Sequence, residues 1–206
     1  MHHGEHEPPE LVELERLISA FGDSMELQVL CEVSAGARSF PVYAIALGNP
    51  APSVPAVGYF GGVHGVERIG SAVVLAFLRS VIMRLRWDAT LRHQLEHLRM
   101  VFMPVVNPGG LARGTRANPV GVDLMRNAPL DARDPVPFLL GGQRLSPWLP
   151  WYRGSKGEAM QPESRALCRV VESELLSHAF SIAVDCHSGF GARDRIWFPY
   201  ASTRLP

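Results

Sequence analysis

An apolar run from Val54 to Phe60 follows a Pro-rich loop, ends in Gly61-Gly62, and leads through a short loop into a long apolar stretch at helical spacing, about Ile69 to Leu85. A strand, a glycine loop and a helix in that order form the repeating unit of an open α/β sheet. Such sheets bind ligands beyond the carboxyl ends of their strands, so the segment Gly61 to Glu67 is where chemistry is expected first.

The flanking sequence extends the same sheet. Leu11, Leu14, Leu17, Ile18 and Phe21 fall at helical spacing and predict an amphipathic helix ending near Gly22. Met25, Leu27, Val29, Cys31 and Val33 alternate, and a Gly-containing turn from Ser34 to Ser39 leads into the apolar run Phe40 to Leu47, which together predict an antiparallel hairpin. A helix is expected from about Asp88 to His97 and a strand from Arg99 to Pro104. Regularity then stops from Val105 to Met160, a stretch rich in Pro, Gly and Arg. Its Trp148, Trp151 and Tyr152 argue against plain disorder, so it is expected to wall an active site. Pro162 opens a helix running to about Ser177, Phe180 to Cys186 is expected as a buried strand, and Ile196 to Tyr200 as another.

Composition narrows the function classes. The chain has 206 residues, 20 Lys+Arg against 20 Asp+Glu, and 47% hydrophobic residues. That suits a single domain over residues 1–206, with a flexible start over residues 1–9. Balanced charge gives no footprint for nucleic acid or an anionic membrane. Cys31, Cys168 and Cys186 form neither a disulfide framework nor a Cys-based zinc site, which fits a reducing, cytoplasmic setting. The histidines at positions 2, 3 and 6 read as a mobile terminus.

Within Gly61-Gly62-Val63-His64-Gly65-Val66-Glu67, an imidazole and a carboxylate lie three residues apart just before a helix. That spacing lets both side chains converge on one ion; equally, it describes a capped helix start beside a surface histidine. Val184-Asp185-Cys186-His187-Ser188-Gly189 ends an apolar strand, where His187 is either a third ligand or a hydrogen-bonded histidine at a sheet edge. His64, Glu67 and His187 together would form a His2Glu set with an open coordination position, as in catalytic zinc sites. Cys186, on the opposite side of its strand, reads as a packed thiol.

Between these segments lie Asn107-Pro108-Gly109-Gly110 and Gly121-Val122-Asp123-Leu124-Met125-Arg126-Asn127. With His64-x-x-Glu67 before them and His187-Ser188 after them, the set resembles the zinc carboxypeptidase (M14-type) metallopeptidases from about residue 25 onward. The resemblance implies an α/β fold with a mixed, eight-stranded central sheet flanked by helices. It also implies one Zn2+ ion held by His64, Glu67 and His187, and Asp123 accepting the other ring N–H of His64. By the same resemblance Arg116 would stabilise the oxyanion, with Arg113 as the alternative, and Arg126 would grip a substrate carboxylate. Glu163 matches a glutamate at a helix start, expected to act through the helix dipole.

Two departures from the family pattern bear on function. Met125 stands where the family carries an asparagine, and a thioether cannot donate to a carboxylate. The family's general-base glutamate and substrate-closing tyrosine lie well beyond the third ligand, so the chain reads as a truncated piece of a longer enzyme. The function implied is zinc-dependent hydrolysis of an amide bond in a peptide or N-acyl amino acid; the alternative is a catalytically silent zinc- or ligand-binding module of the same fold. A rival motif, His93-Gln94-Leu95-Glu96-His97, fits another zinc peptidase pattern, but Trp87, Leu91, Leu95 and Leu98 form the apolar stripe of that helix and turn the three candidate ligands toward solvent. No Gly-x-Ser-x-Gly elbow is present for a serine hydrolase.

Overall fold

The computed structural model describes residues 7–128 and 141–189, together with Ile196. Helix α1 (Pro9–Phe21) precedes the hairpin of β1 (Glu26–Ala35) and β2 (Arg38–Gly48), then β3 (Ala56–Gly61), α2 (Arg68–Leu85), α3 (Ala89–Leu95) and β4 (Arg99–Met103). Helix α4 (Pro108–Arg113), α5 (Pro162–Val170) and β5 (Ser181–Cys186) complete the order, and α5 continues into a π-type turn over Val171–Leu175. The strands lie in the order β1-β2-β4-β3-β5, antiparallel from β1 through β2 to β4 and parallel from β4 through β3 to β5. This is a mixed α/β sheet, with five strands among the described residues.

Alternation along the strands builds a core on each face. Ile45, Leu47, Met100 and Phe102 pack against Leu11, Leu14, Leu75, Leu78 and Ile82 of α1 and α2. Ala44, Ala46, Val101 and Met103, one residue out of phase, pack with Val170 and Leu175 on the other face. Central strand β4 is therefore buried along its whole length.

Several expectations need correction. The sequence predicts a buried strand at Phe180 to Cys186; β5 forms there, but Ile182 and Val184 are exposed, and among the described residues β5 pairs only with β3. In β1 the register shifts between Val29 and Cys31, so the simple alternation breaks: Val33 is buried while Leu27 and Val29 face outward. The stretch Val105 to Met160 contains α4 and a 3-10 turn, Leu124–Arg126. Their signal was local: Asn107 caps α4, Pro108 occupies its first turn, and Gly114 ends it at φ 63°. The expected strand from Ile196 to Tyr200 and the histidines at positions 2, 3 and 6 lie outside the described residues, apart from Ile196, which is not in a strand. Among the described residues no helix is long and apolar enough to cross a membrane.

Candidate metal centre

Parallel pairing of β3 with β5 sets Gly61 opposite Cys186, so both strands end level and the loops leaving them lie side by side. One loop carries His64 and Glu67, the other His187. Two glycines make the first loop possible. Gly62 takes φ 65°, and a Cβ on Gly65 would collide with the backbone of Gly110 at the start of α4. Asn107 holds the same junction: its Oδ1 accepts the Gly110 N–H at 2.8 Å, and its Nδ2 donates to the Val63 carbonyl at 3.3 Å.

One ligand atom from each of His64, Glu67 and His187 lies within 4.8 Å of the other two. Nδ1 of His64 is 2.8 Å from Glu67 Oε1, and its Nε2 is 3.2 Å from Asp123 Oδ1. The two imidazole rings meet edge to face at 4.8 Å. The other Glu67 oxygen, Oε2, accepts the Ser188 N–H at 2.8 Å, which ties the two loops together. A divalent cation fits this donor set. His187 Nε2 is buried and has no hydrogen-bond partner among the described residues, a costly state that an ion would relieve. Two imidazoles and one carboxylate suit zinc.

Around these three residues stand the charges expected from sequence. Burial opposes ionisation of Asp123, but the His64 hydrogen bond and charge, together with Arg126 and Arg116, outweigh it and hold the carboxyl at about 2. Arg116 places Nη1 3.3 Å from Glu67 and Nε 3.2 Å from Asp123. Arg126 places Nη1 2.9 Å from Asp123 and lies over the Trp151 ring, 5.5 Å from its centroid. Arg113 donates to the Pro119 carbonyl at 2.7 Å. Met125 is 43% exposed on the 3-10 turn beside Arg126.

Asparagines not singled out in the sequence hold this wall in place. Asn118 accepts the N–H groups of Val120 and Val122 and donates to Glu163 at 3.2 Å, fastening the Asp123 segment to the start of α5. Glu163 is buried there, and burial pushes its carboxyl up despite hydrogen bonds from its own backbone and Asn118. Asn127 accepts the Gln161 N–H at 2.7 Å and donates to the Arg153 carbonyl at 2.8 Å. Asp185 was also missed: its Oδ1 is 2.8 Å from His187 Nδ1. The signal was an Asp-x-His spacing on a strand, which puts both side chains on one face. Burial works against the protonated His187, but Asp185 outweighs it, with a smaller contribution from Glu67, and raises the ring above the usual imidazole range.

The rival set is assembled but exposed. His93 Nδ1 lies 3.1 Å from Glu96, with His97 beside them, and all three face solvent. Cys186 is half-buried against the core, with its thiol pushed up by burial and by Asp185.

Comparisons with known proteins agree with this geometry. A curated relative, Carboxypeptidase SOL1 of Arabidopsis thaliana, is 27% identical over 103 residues, covering 48% of this chain and 21% of its own length. The structure of thrombin activatable fibrinolysis inhibitor superposes with TM-score 0.66 at 22% identity, covering 87% of this chain and 46% of that one. The bovine form, solved with tick carboxypeptidase inhibitor, gives TM-score 0.67 at 23% identity, with 98% and 65% covered. A metallo-carboxypeptidase from Burkholderia cenocepacia gives TM-score 0.54 at 17% identity, with 85% and 40% covered. The chain thus spans only part of the length of each of these relatives. The family model described as zinc carboxypeptidase, Peptidase_M14, matches residues 14–206, and the chain belongs to that family.

Proposed function

We propose that this protein is a zinc-dependent, metallocarboxypeptidase-like hydrolase that cleaves an amide bond in a peptide or N-acyl amino acid carrying a carboxylate near the scissile bond. The observation that carries the proposal is the convergence of His64, Glu67 and His187 within 4.8 Å, at the ends of two adjacent parallel strands. Zinc bound by these three residues would supply Lewis-acid polarisation of a carbonyl and a lowered pKa for a water molecule. Asp123 keeps the far nitrogen of His64 protonated and its ring oriented. Arg116, which reaches both Glu67 and Asp123, is the donor assigned to the developing oxyanion, with Arg113 the alternative. Arg126 offers a planar fork to the substrate carboxylate, and the Trp151 ring limits where that fork can sit. Three free cysteines support a reducing, cytoplasmic setting.

A silent binding module is the second reading, and one observation favours it. Among the described residues, two carboxylates that could stand in for a general base are already engaged: Glu158 accepts the Ser155 N–H at 3.2 Å, and Glu163 is buried and receives a hydrogen bond from Asn118.

Assaying the zinc-loaded protein for amide hydrolysis separates the readings. N-acyl amino acids and blocked dipeptides, as free acids and as amides, are the substrates. Hydrolysis that chelation abolishes and zinc restores is expected. Stoichiometric zinc without turnover of any of them would leave the silent module.

A further inference from the structure

We propose that His93, Glu96 and His97 form a second metal site, which takes a zinc ion in ready exchange with solution. The site lies at the other end of the sheet from the first centre and does not depend on it. Strand β3 runs from Ala56, paired with Arg99 at the start of β4, to Gly61, whose loop carries His64. His97 is two residues before Arg99. The two sites therefore occupy opposite ends of the same parallel strands, and neither can supply a ligand to the other's ion.

Helix α3 and the turn after it build the cluster. Positions 93, 96 and 97 are related as i, i+3 and i+4, so their side chains share one side of the helix end. Leu91 and Leu95 are buried in the core, and Asp88 caps the start of α3 by accepting the Leu91 N–H at 3.0 Å, which fixes how the helix is turned. The end of β2 grips the turn itself. Asn49 donates its N–H to the carbonyls of Leu95 and Leu98, and its Nδ2 to the Glu96 carbonyl at 2.7 Å. Gly48 takes φ 89° and comes so near that a Cβ there would strike the Leu98 carbonyl. The backbone carrying Glu96 and His97 is thus held in place while the side chains stay free to turn.

One ligand atom from each of the three residues lies within 4.8 Å of the other two, His93 Nδ1 is 3.1 Å from Glu96 Oε2, and the two imidazole rings meet edge to face at 5.2 Å. Rotation of exposed side chains can bring these atoms to the roughly 2.0–2.2 Å bonds that zinc makes to nitrogen and oxygen. Two imidazoles and a carboxylate suit zinc, and Glu96 offsets part of its charge. All three ligands face water, and each must be ordered when the ion binds, so the affinity is lower than at the buried first centre.

Calorimetric titration with zinc tests the proposal in a chain whose His2, His3 and His6 are changed to alanine, so that the terminal histidines offer no ligands. After the tight event, a second and weaker one is expected, taking one ion per chain that dialysis against metal-free buffer removes. His93→Ala and His97→Ala should each abolish the weaker event and Glu96→Gln should weaken it, with the tight event intact in all three. His178, which bonds the Val54 carbonyl, serves as the control, and His178→Ala should change neither event. Ring resonances of His93 and His97 in NMR spectra should shift during the weaker event while those of His178 stay in place. Circular dichroism checks that these surface variants keep the fold. Absence of a weaker event, or one that survives His93→Ala or His97→Ala, would overturn the proposal, and indifference to Glu96→Gln would overturn the three-ligand assignment. A weaker event that behaves as expected while the tight one is missing would support this site and count against the first centre.

Discussion

Asp123 lies 3.2 Å from the far nitrogen of His64, with Glu67 on the ring's near side, so one imidazole spans two buried carboxylates. Asp123 also receives Arg116 and Arg126. A single side chain thus connects the candidate metal ligands to the two arginines proposed to meet substrate.

Asp123→Ala is accordingly expected to weaken zinc binding by roughly 10–100-fold, the usual cost of removing a group that orients a metal-bound histidine. Chelator competition on the purified variant measures it. Wild-type affinity in Asp123→Ala would show that His64 needs no such support.

Met125 offers no hydrogen bond to a carboxylate, so in the proposed function Arg126 would hold that group without its neighbour's help. A hydrogen bond to a charged group is worth roughly 1.5–3 kcal/mol, or about ten- to a hundredfold in binding. Met125→Asn should increase the preference for free-acid over amidated ligands by up to that factor, and Arg126→Ala should erase the preference. Calorimetric titration of zinc-loaded protein with an N-acyl amino acid and its amide checks both. A free-acid preference that survives Arg126→Ala would remove the assigned role.

Much of this arrangement was legible beforehand because its signals are local. The spacing of Leu11, Leu14 and Leu17, the Asn107-Pro108 helix start and the His64-x-x-Glu67 loop each depend on a few adjacent residues. Burial of β5 was not legible, since an apolar run such as Ile182-Ala183-Val184 looks the same whether one or both sides are covered. The shift after Val29 was hidden for a related reason: an extra residue in a strand leaves the residue types unchanged while reversing which of them point inward. Asn118 and Asn127 were missed because their partners at Glu163 and Gln161 lie far away in sequence.

Glu163 supplies a pH-dependent test remote from the ligands. Burial raises its folded pKa above the unfolded value, so the folded state binds the proton more tightly and stability falls as pH rises from the unfolded carboxyl range through the folded pKa. Glu163→Gln keeps an acceptor for Asn118 and removes the charge. The variant is expected to melt higher than wild type at pH 7, by a few degrees, with the difference vanishing near pH 3, as followed by circular dichroism. A lower melting temperature at pH 7 would mean that the charged form is the stabilising one.

Ile69, Val73 and Phe77 of α2 are exposed, as are Ile182 and Val184 of β5, which contacts α2 and whose outer edge has no strand partner among the described residues. An apolar face next to an open edge promotes association. The 206-residue chain should self-associate at micromolar concentration in sedimentation velocity, and Val184→Lys should shift it toward monomer. A monomeric wild-type chain would contradict this.

Metal analysis of the purified chain after dialysis against zinc tests the central assignment most directly. The account predicts one tightly held zinc per wild-type chain. His64→Ala, Glu67→Ala and His187→Ala should each lose it while remaining folded by circular dichroism, and His93→Ala should retain it. An unchanged stoichiometry in His187→Ala, or a loss in His93→Ala alone, would place the metal elsewhere and contradict the account.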